Sequence, residues 1–275
     1  MNLADQYFLQ TIKEILNKGY STEGHKVRPK WEDGTPAHTK YINQKVYKYD
    51  ISKGEYPIST LRPLAWKSAI KEILWIYSDQ SNDLNILEDK YNIHWWNDWE
   101  VEDTRTIGQR YGATVKKYNL MDNLLKSLKE DPYSRRHIMN MYQYSDFNES
   151  EGLYPCAYET VWNVRDEYLD MTLHQRSSDF CTAFAINEFQ YFALMLMVCK
   201  SVGLKPGCFM HVVENVHIYD RHFENAKILL ERNPISNPEL ILDTNNINFY
   251  NFTINDFQLN NFESAGEQLE FELAI

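Results

Sequence analysis

Apolar residues recur along the chain with two periods, and each period predicts one type of secondary structure. Near the start, Leu3, Phe8 and Ile12 fall on one stripe with charged residues between them, which is the helical period. Two later segments are apolar on most faces, so we expect them to form buried helices. Gly203 and the Asn-Pro pair at Pro234 mark the ends of the last two predicted helices. The predicted helices cover residues 3–18, 65–77, 188–203 and 219–232.

Alternation of apolar and polar residues predicts β-strands in other parts of the chain. Residues 41–50 alternate throughout, and residues 153–175 alternate in two bursts around a turn-like Arg-Asp-Glu, which predicts a β-hairpin. Among the last forty residues, 247–254 and 269–273 alternate in the same way and are predicted to be short strands. Residues 26–39 contain two prolines and a glycine, which predicts a loop.

Helices and strands therefore interleave along the chain, and the sequence contains no internal repeat, low-complexity tract or linker. Of the 275 residues, 43% are hydrophobic and 14% are aromatic, which is enough apolar material for a sizeable core and argues against disorder. The sequence predicts one α+β domain over residues 1–275.

The charge balance is acidic, because 28 Lys and Arg residues are outnumbered by 39 Asp and Glu residues, for a formal net charge of −11. Nonspecific affinity for nucleic acid comes from clustered Lys and Arg, so we expect no nucleic-acid partner. An acidic average is still compatible with a local basic pocket for a small anion.

The four cysteines show neither C-x-x-C pairing nor zinc-ligand spacing, and a chain of this size does not need disulfides. We therefore expect reduced thiols and no metal. The chain does not begin with a basic segment followed by an apolar stretch, and no apolar run approaches the roughly 18 to 20 residues of a membrane span. These features predict a cytoplasmic protein with no membrane partner.

Cys156 is a candidate nucleophile because it follows a proline at the start of a predicted strand. A thiolate needs nearby positive charge, and the sequence H-Q-R-S-S-D begins 18 residues downstream. If the two alternating stretches pair as a hairpin, Arg176 returns close to Cys156. A lone cysteine is more often a small buried hydrophobe, and Arg176 equally fits a solvated strand end, so both interpretations stay open here.

Two further pairs of residues could recognise a ligand. Arg135 and Arg136 could grip a phosphate through forked hydrogen bonds, although a surface salt-bridge pair is the commoner role. His217 and Tyr219 lie on one face of an extended segment, which suits a sugar hydroxyl, a metal or mutual packing. The motifs of zinc proteases, P-loop enzymes and dinucleotide-binding folds do not occur in the sequence.

Taken together, these motifs resemble the thymidylate synthase family in order and spacing over nearly the whole chain. The 20-residue step from Cys156 to Arg176 and the further 11 residues to Asn187 match the family pattern. The G-T-P-A-H-T and P-C-x-Y-E-T sequences look most like synthases of Gram-positive bacteria and their phages. The resemblance implies a homodimer whose interface is a large mixed β-sheet, covered by helices. The matching motifs are W-K-S-A-I-K-E-I-L-W, I-H-W-W-N-D-W, I-G-Q-R-Y-G, D-P-Y-S-R-R, L-Y-P-C, H-Q-R-S-S-D, A-I-N-E-F-Q-Y, H-I-Y-D-R-H and the terminal A-I.

For the nucleotide, the resemblance implies that Cys156 adds to C6 of the uracil ring of dUMP, which makes C5 nucleophilic. Asn187 would read the amide edge of uracil, and His217 with Tyr219 would bind the ribose 3′-hydroxyl. The phosphate would be held by arginines of both subunits. The implied dUMP-binding residues are Arg28, Gln175, Arg176, Ser177, Asn187, His217 and Tyr219, with Arg135 and Arg136 contributed by the partner subunit.

For the one-carbon transfer, the resemblance implies 5,10-methylenetetrahydrofolate as cosubstrate and no metal. Glu72 would organise water for proton transfer at the uracil carbonyl, and Tyr111 would assist removal of the C5 proton. With Cys156, Arg176 and Asp179 they form the implied catalytic set. The implied folate-binding residues are Trp96, Trp99, Asp179, Ala183 and the terminal Ile275.

Some positions depart from the family pattern. The usual Gly and Pro of the run before Asn187 are Ala183 and Ala185, which puts folate placement in question because Gly permits unusual backbone angles. Glu214-Asn215 replaces the Gly-Asp ahead of His217. The usual lysine before the buried helix is Arg62, and the usual histidine after the nucleophile is Ala157, as in some Gram-positive members.

Three functions are therefore compared. The first is thymidylate synthase, which is favoured because Trp96, Leu153 and Ala274-Ile275 match positions that shield the exocyclic methylene. The second is a folate-dependent hydroxymethylase of the same superfamily, in which water captures that methylene to give 5-hydroxymethyl-dUMP. The third is a homologue that binds nucleotide or RNA without turnover, and the complete set of candidate residues argues against it.

Overall fold

A mixed β-sheet and the helices packed on it form the body of the structure. The computed structural model describes residues 1–148 and 152–275. The α-helices are α1 (Leu3–Lys18), α2 (Trp66–Ile73), α3 (Leu84–Tyr91), α4 (Gly112–Lys117), α5 (Leu120–Glu130), α6 (Tyr144–Phe147), α7 (Phe184–Val202) and α8 (Phe223–Leu230). The β-strands are β1 (Tyr20–Ser21), β2 (Thr39–Asp50), β3 (Ile138–Asn140), β4 (Ala157–Arg165), β5 (Tyr168–Gln175), β6 (Ser178–Asp179), β7 (Lys205–Tyr219), β8 (Glu239–Leu242) and β9 (Phe257–Asn260).

The order and direction of the strands decide which strand ends meet at one edge of the large sheet. Among the described residues, seven strands form it in the order β1-β2-β7-β5-β4-β3, with the short β6 beside β7. Strands β5 and β7 are parallel, whereas β2 and β4 run antiparallel to them. The carboxyl ends of β5 and β7 therefore lie beside the amino ends of β2 and β4. The remaining strands, β8 and β9, form a separate antiparallel pair.

The core lies between one face of the sheet and helix α7. Side chains of β5 alternate between buried and partly exposed, so its inner face packs inward and its outer face meets the surface. Helix α7 is almost fully buried between the sheet and α2, and it ends at Gly203, which adopts a left-handed conformation with its N–H donating to the Cys199 carbonyl. Trp75 and Trp162 are fully buried in the same core, and burial of such a side chain stabilises the fold by roughly 2–3 kcal/mol.

Most sequence predictions of secondary structure are confirmed. The first helix has the predicted bounds, the strand over residues 41–50 lies within β2, and the predicted hairpin is the β4–β5 pair with its turn after Arg165. The predicted helix over residues 65–77 is α2 continued by a π-helical turn, Leu74–Ser78. None of the described helices combines the length and the hydropathy needed to cross a bilayer.

Two helix boundaries differ from the prediction. Helix α7 begins at Phe184, four residues before the predicted start, because the alanines on either side of Phe184 carry the helix through the run in which the family has Gly and Pro. Helix α8 covers only Phe223–Leu230 of the predicted segment, and a 3₁₀ turn, Asp220–His222, precedes it.

The predicted terminal strands are wrong. Residues 247–254 contain the 3₁₀ turn Phe249–Asn251 and the start of a second, Ile254–Asp256, because Asn248 accepts a hydrogen bond from the Tyr250 amide and Thr253 forms a capping box with Asp256. Residues 269–273 form no strand, because the Glu270 and Glu272 carbonyls bond to side chains of the α8 region rather than to a neighbouring strand. Alternation alone did not distinguish these turns from strands.

Candidate active site

A cavity of about 630 Å³ opens at the sheet edge where β5 and β7 end. This volume is within the range of small-molecule sites in proteins. Most of the site residues predicted from the sequence line it, and they come from strands, helices and loops far apart in the chain. They are Arg28, Glu72, Trp96, Trp99, Tyr111, Cys156, Gln175, Arg176, Ser177, Asp179, Ala183, Asn187, His217 and Tyr219.

The hairpin brings Cys156 and Arg176 together as the spacing predicts. Ala157 is paired with Gln175, and the Arg176 amide donates to the Cys156 carbonyl at 2.9 Å. The guanidinium Nη2 of Arg176 lies 3.5 Å from Cys156 Sγ and donates to the Tyr154 carbonyl at 2.8 Å. The side chain of Arg176 is therefore anchored by main-chain oxygens in a position where its charge faces the thiol.

Burial and charge have opposite effects on the Cys156 thiol. Burial raises the pKa of Cys156, and the charges of Arg176 and Arg28 oppose that rise without cancelling it. The thiol is therefore protonated in the unliganded chain at neutral pH, and the two guanidinium groups stabilise the thiolate once it forms.

Tyr111 contacts the main chain of the candidate nucleophile. Its hydroxyl accepts a hydrogen bond from the Cys156 amide at 3.1 Å, and its ring packs edge-on against Trp96 at 5.2 Å. Burial raises the pKa of Tyr111 far above its usual range, so the phenol is neutral. The backbone of Tyr111 has φ +46°, a strained conformation for a bulky residue. The next residue, Gly112, packs so closely on the Ser81 backbone that a Cβ could not fit there.

Glu72 is a buried carboxyl group that faces the cavity from α2. Trp95 Nε1 donates to Glu72 Oε2 at 2.6 Å, although Trp95 is itself 40% exposed. Burial raises the pKa of Glu72 to about 7, and the hydrogen bond from Trp95 opposes this rise. Glu72 can therefore give up or take a proton near neutral pH, as a general acid or base requires.

His217 and Tyr219 project from one face of β7, with ring centroids 5.1 Å apart. Asn215 Oδ1 lies 3.0 Å from His217 Nδ1, so Nδ1 carries the proton and Nε2 is left as an acceptor. Burial lowers the pKa of His217 and raises that of Tyr219 to about 12, so both side chains are neutral. A neutral acceptor beside a neutral hydroxyl suits a sugar hydroxyl better than a metal.

Amide side chains form the wall below this pair. Gln175 Nε2 donates to Asn187 Oδ1 at 3.0 Å, and Asn187 Nδ2 donates to Gln190 Oε1 at 3.1 Å. Among the described residues, the buried atoms Ser178 Oγ and Asp179 Oδ1 have no hydrogen-bond partner, and both residues line the cavity. Buried polar atoms are normally paired, so these two are atoms that a ligand could satisfy.

The departures from the family pattern alter this region less than the sequence implies. Ala183 has φ −101° and ψ −28°, an ordinary helical conformation, so its backbone does not require glycine. Arg62 does not line this cavity; its Nη2 donates to the carbonyl of the lining residue Thr182 at 2.8 Å, and its guanidinium packs over the Phe271 ring. Asn215, which replaces the usual Asp, orients His217.

Some predicted site residues do not reach the cavity within one chain. Arg135 and Arg136 are exposed on the loop before β3 and do not line it. Ile275 is also outside, but its main chain pairs with that of Lys30 at 2.7 and 3.0 Å, and this pairing draws Ala274 to the rim.

Sequence reasoning gave no role to several residues that line the cavity, among them Trp95, Ser178 and Gln190. Trp95 gave no signal of its own beside Trp96, although a tryptophan next to a buried glutamate is a possible hydrogen-bond donor. Ser178 is part of the H-Q-R-S-S-D motif but was not assigned a role. Gln190 is one helical turn after Asn187, a spacing that could have indicated their contact.

Comparison with known proteins shows the same similarity along the entire chain. A family model described as thymidylate synthase matches residues 6–275. The thymidylate synthases of Streptococcus sanguinis and Streptococcus pyogenes serotype M5 are 49% and 48% identical to this chain over 281 aligned positions, with 100% of each chain covered. The structure of thermostable thymidylate synthase A from Bacillus subtilis matches with a TM-score of 0.92 and 39% identity, covering 98% of this chain and 99% of that one.

Proposed function

The chain belongs to the thymidylate synthase family, and on that premise we propose that it converts dUMP to dTMP by reductive methylation with 5,10-methylenetetrahydrofolate as cosubstrate. It is thus a one-carbon-transferring methyltransferase. The observation that carries the proposal is the Cys156 thiol, 3.5 Å from the Arg176 guanidinium, in a cavity that also presents the Asn187 amide. The relatives are synthases by name, which favours this function over the hydroxymethylase.

The first chemical step is the addition of Cys156 Sγ to C6 of the uracil ring, once the thiol has released its proton to solvent and Arg176 has stabilised the thiolate. The C5–C6 π electrons move toward the C4 carbonyl, and the resulting enolate makes C5 nucleophilic. Arg176 stabilises the thiolate before the addition and again when the thiolate leaves. Glu72, with a pKa of about 7, supplies a proton toward the carbonyl oxygen and can take it back. Bound folate supplies both the carbon and the hydride.

The later steps need a proton removed from C5, and the Tyr111 hydroxyl is assigned to assist that removal. Its contact with the Cys156 amide keeps the phenol beside the reacting face of the ring. Asn187 reads the uracil N3–H and O4 with its own acceptor and donor. His217 Nε2 accepts from the ribose 3′-hydroxyl, and Tyr219 binds the same group. Gln175 acts on the base through Asn187.

The phosphate site requires two chains in this proposal. Arg28, Arg176 and Ser177 line the cavity, and Arg135 and Arg136 of the partner subunit complete the anion site. The outer face of the sheet carries half-buried apolar residues, Met210 and Val212 among them, as a surface that pairs with a second copy does. We therefore infer a homodimer that packs through the sheet.

The folate is assigned to the other side of the cavity. Trp96 and Trp99 offer aromatic faces for stacking on the pterin, and Asp179 offers a carboxylate oxygen that has no hydrogen-bond partner for the pterin N–H groups. Ala183 lies at the start of α7 against the ligand. The terminal Ile275 closes over the bound ligands and excludes water.

Two broader statements belong to the same proposal. Residues 1–275 form one catalytic domain, because one hydrophobic cluster extends from Ala4 to Phe257. The enzyme works in the cytoplasm, where its small soluble substrates are found, and it requires neither a metal nor nucleic acid.

The test is an assay with dUMP and 5,10-methylenetetrahydrofolate in which the pyrimidine and the folate products are both identified. We expect dTMP and dihydrofolate in equal amounts. Tetrahydrofolate with 5-hydroxymethyl-dUMP would identify the hydroxymethylase, and nucleotide binding without turnover would identify a homologue that is not an enzyme.

A further inference from the structure

Behind the Asn187 amide, four buried side chains form a hydrogen-bonded row, and the mechanism above uses only the last of them, Gln175. Tyr49 donates to the Glu188 carboxylate at 3.0 Å, Glu188 Oε1 lies 3.3 Å from His211 Nδ1, and His211 Nε2 lies 2.9 Å from Gln175 Oε1. All four are nearly or fully inaccessible to solvent. The row ends at Gln175, which donates to Asn187.

The orientation of the Gln175 amide follows from a main-chain contact. Gln175 Nε2 donates to the Ser177 carbonyl at 3.0 Å, and a carbonyl oxygen can only accept. The nitrogen of Gln175 therefore faces Ser177 and Asn187, and its oxygen faces His211. Because that oxygen can only accept, His211 Nε2 must carry a proton.

A second proton must lie on the other side of the same ring, between His211 Nδ1 and the Glu188 carboxylate. His211 Nδ1 faces a carboxylate oxygen of Glu188, and two lone pairs cannot meet there without repulsion. Either His211 is an imidazolium beside a carboxylate, or a neutral His211 accepts from a protonated Glu188. In both cases the pair holds one proton more than a neutral imidazole with a free carboxylate.

The surroundings favour the retention of this proton. Burial raises the pKa of Glu188, and the charge and hydrogen bond of His211 oppose the rise. The ring of His211 stacks on Phe184 at 5.3 Å, and Tyr47 packs at 6.1 Å. The titratable groups that face the pair in the described structure are thus two neutral phenols, Tyr47 and Tyr49, whose pKa values burial raises well above their usual range.

We propose that Glu188 and His211 are positioning residues that hold a shared proton, fix the Gln175 amide, and thereby keep Asn187 oriented for uracil and against cytosine. Uracil presents a donor at N3 and an acceptor at O4, whereas cytosine presents the reverse. An Asn187 flipped for cytosine would set its nitrogen against Gln175 Nε2 and its oxygen against Gln190 Oε1. The inference rests on the proposed function, because it concerns how that site selects its base.

Two variants that differ only at position 211 test the proposal. In Glu188→Gln the new amide can donate to Nδ1, so Nε2 keeps its proton and base selection should be preserved. In the double variant Glu188→Gln, His211→Phe, the ring stacking remains but the donor to Gln175 is lost, and no buried charge is left unpaired. Phe209→Leu, a cavity-forming change in the same strand that removes no hydrogen bond, controls for general loosening.

The readout is the affinity for dUMP and for dCMP, measured by calorimetry without folate. We expect the ratio of the two affinities to fall about 10-fold in the double variant, as loss of one buried hydrogen bond predicts, and to stay within about 2-fold of the wild type in the other two. A ratio unchanged in the folded double variant, or one equally reduced by Phe209→Leu, overturns the inference while the proposed function survives. A wild type that binds neither nucleotide overturns both.

A second measurement does not depend on the double variant folding. In protein labelled with [15N]histidine, the ring shifts of His211 should report a protonated Nε2 at pH 7 in both the wild type and Glu188→Gln. An unprotonated Nε2 in the wild type would contradict the proposal.

Discussion

The two sides of the cavity are built in different ways. The thiol wall, defined by Cys156, Gln175, Arg176, Asn187 and His217, is held by strand register and by hydrogen bonds between buried groups. The tryptophan wall consists of Trp95, Trp96 and Trp99, the start of α7 and the terminal residues Leu273 and Ala274. It depends on a 3₁₀ turn, on side-chain packing and on one main-chain pair at Lys30.

This difference corresponds to two tasks: the thiol wall carries out the covalent chemistry, and the tryptophan wall closes the site around the ligands. A regular sheet fixes atoms to within a fraction of an ångström, which covalent addition to a ring carbon requires. Loops and a chain terminus can adjust around a larger ligand and then exclude water. We therefore expect substitutions in the thiol wall to abolish the reaction and substitutions in the tryptophan wall to produce graded losses.

The largest effect is expected from Cys156→Ser. Loss of the thiol should lower kcat by roughly 10⁴-fold or more, because the hydroxyl cannot form the covalent adduct at a useful rate, whereas dUMP affinity should change only a few-fold. Cys208→Ser is the matched control, because that half-buried thiol lies near the amino end of β7, whereas the cavity residues of β7 lie at its carboxyl end. Turnover is measured as dTMP formation, and dUMP affinity is measured by calorimetry. Substantial turnover in Cys156→Ser would contradict the covalent mechanism.

How far the sequence predicts each wall follows from the range of the interactions. The Cys156–Arg176 contact was predictable because alternation specifies a hairpin and a hairpin returns the chain to its start. The same holds for His217 and Tyr219, whose spacing along one strand decides that they share a face. These are local rules, and local rules can be read from one sequence.

The remaining features depend on contacts between distant segments. The Tyr49–Glu188 bond joins residues 139 positions apart, and no local pattern indicates it. The role of Trp95 depends on α2, which brings Glu72 beneath the turn. Arg135 and Arg136 cannot be tested within one chain, and their contact with a partner's phosphate stays a prediction.

The second prediction concerns the chain terminus. Deletion of Ile275 removes both hydrogen bonds to Lys30, so the rim should open and kcat should fall by about 10²-fold, the loss typical of a misplaced reacting group. Ile275→Ala retains the main-chain pair and should stay within a few-fold of the wild type. Steady-state kinetics with product analysis separate the two variants, and equal losses would show that the side chain matters rather than the main-chain pair.

A smaller loss is expected from Trp95→Phe, which connects the tryptophan wall to Glu72. Without the indole N–H, the pKa of Glu72 should rise further above about 7, and kcat should fall about 10-fold with little change in KM for dUMP. The measurement is the dependence of kcat on pH, in which the inflection that reports Glu72 should move to higher pH. A purely structural role of Trp95 would lower kcat without moving that inflection. Trp66→Phe, at the start of the same helix as Glu72, is the control.

The smallest effect concerns stability rather than turnover. Because burial raises the pKa of Glu72 from 4.5 to about 7, folding favours the protonated form. Its contribution to stability is complete below pH 4.5 and is lost as the pH rises through 7, so the ionised carboxylate costs the fold about 3 kcal/mol at pH 8. Glu72→Gln should therefore raise the thermal midpoint by several degrees at pH 8 and by little at pH 5, while turnover falls.

Glu224→Gln makes the same charge change on an exposed helix and should alter stability by less than about 0.5 kcal/mol at either pH. An equal gain in the thermal midpoint of Glu72→Gln at both pH values would mean that burial does not raise the pKa of Glu72. The chemistry at the thiol wall would then lack a proton donor.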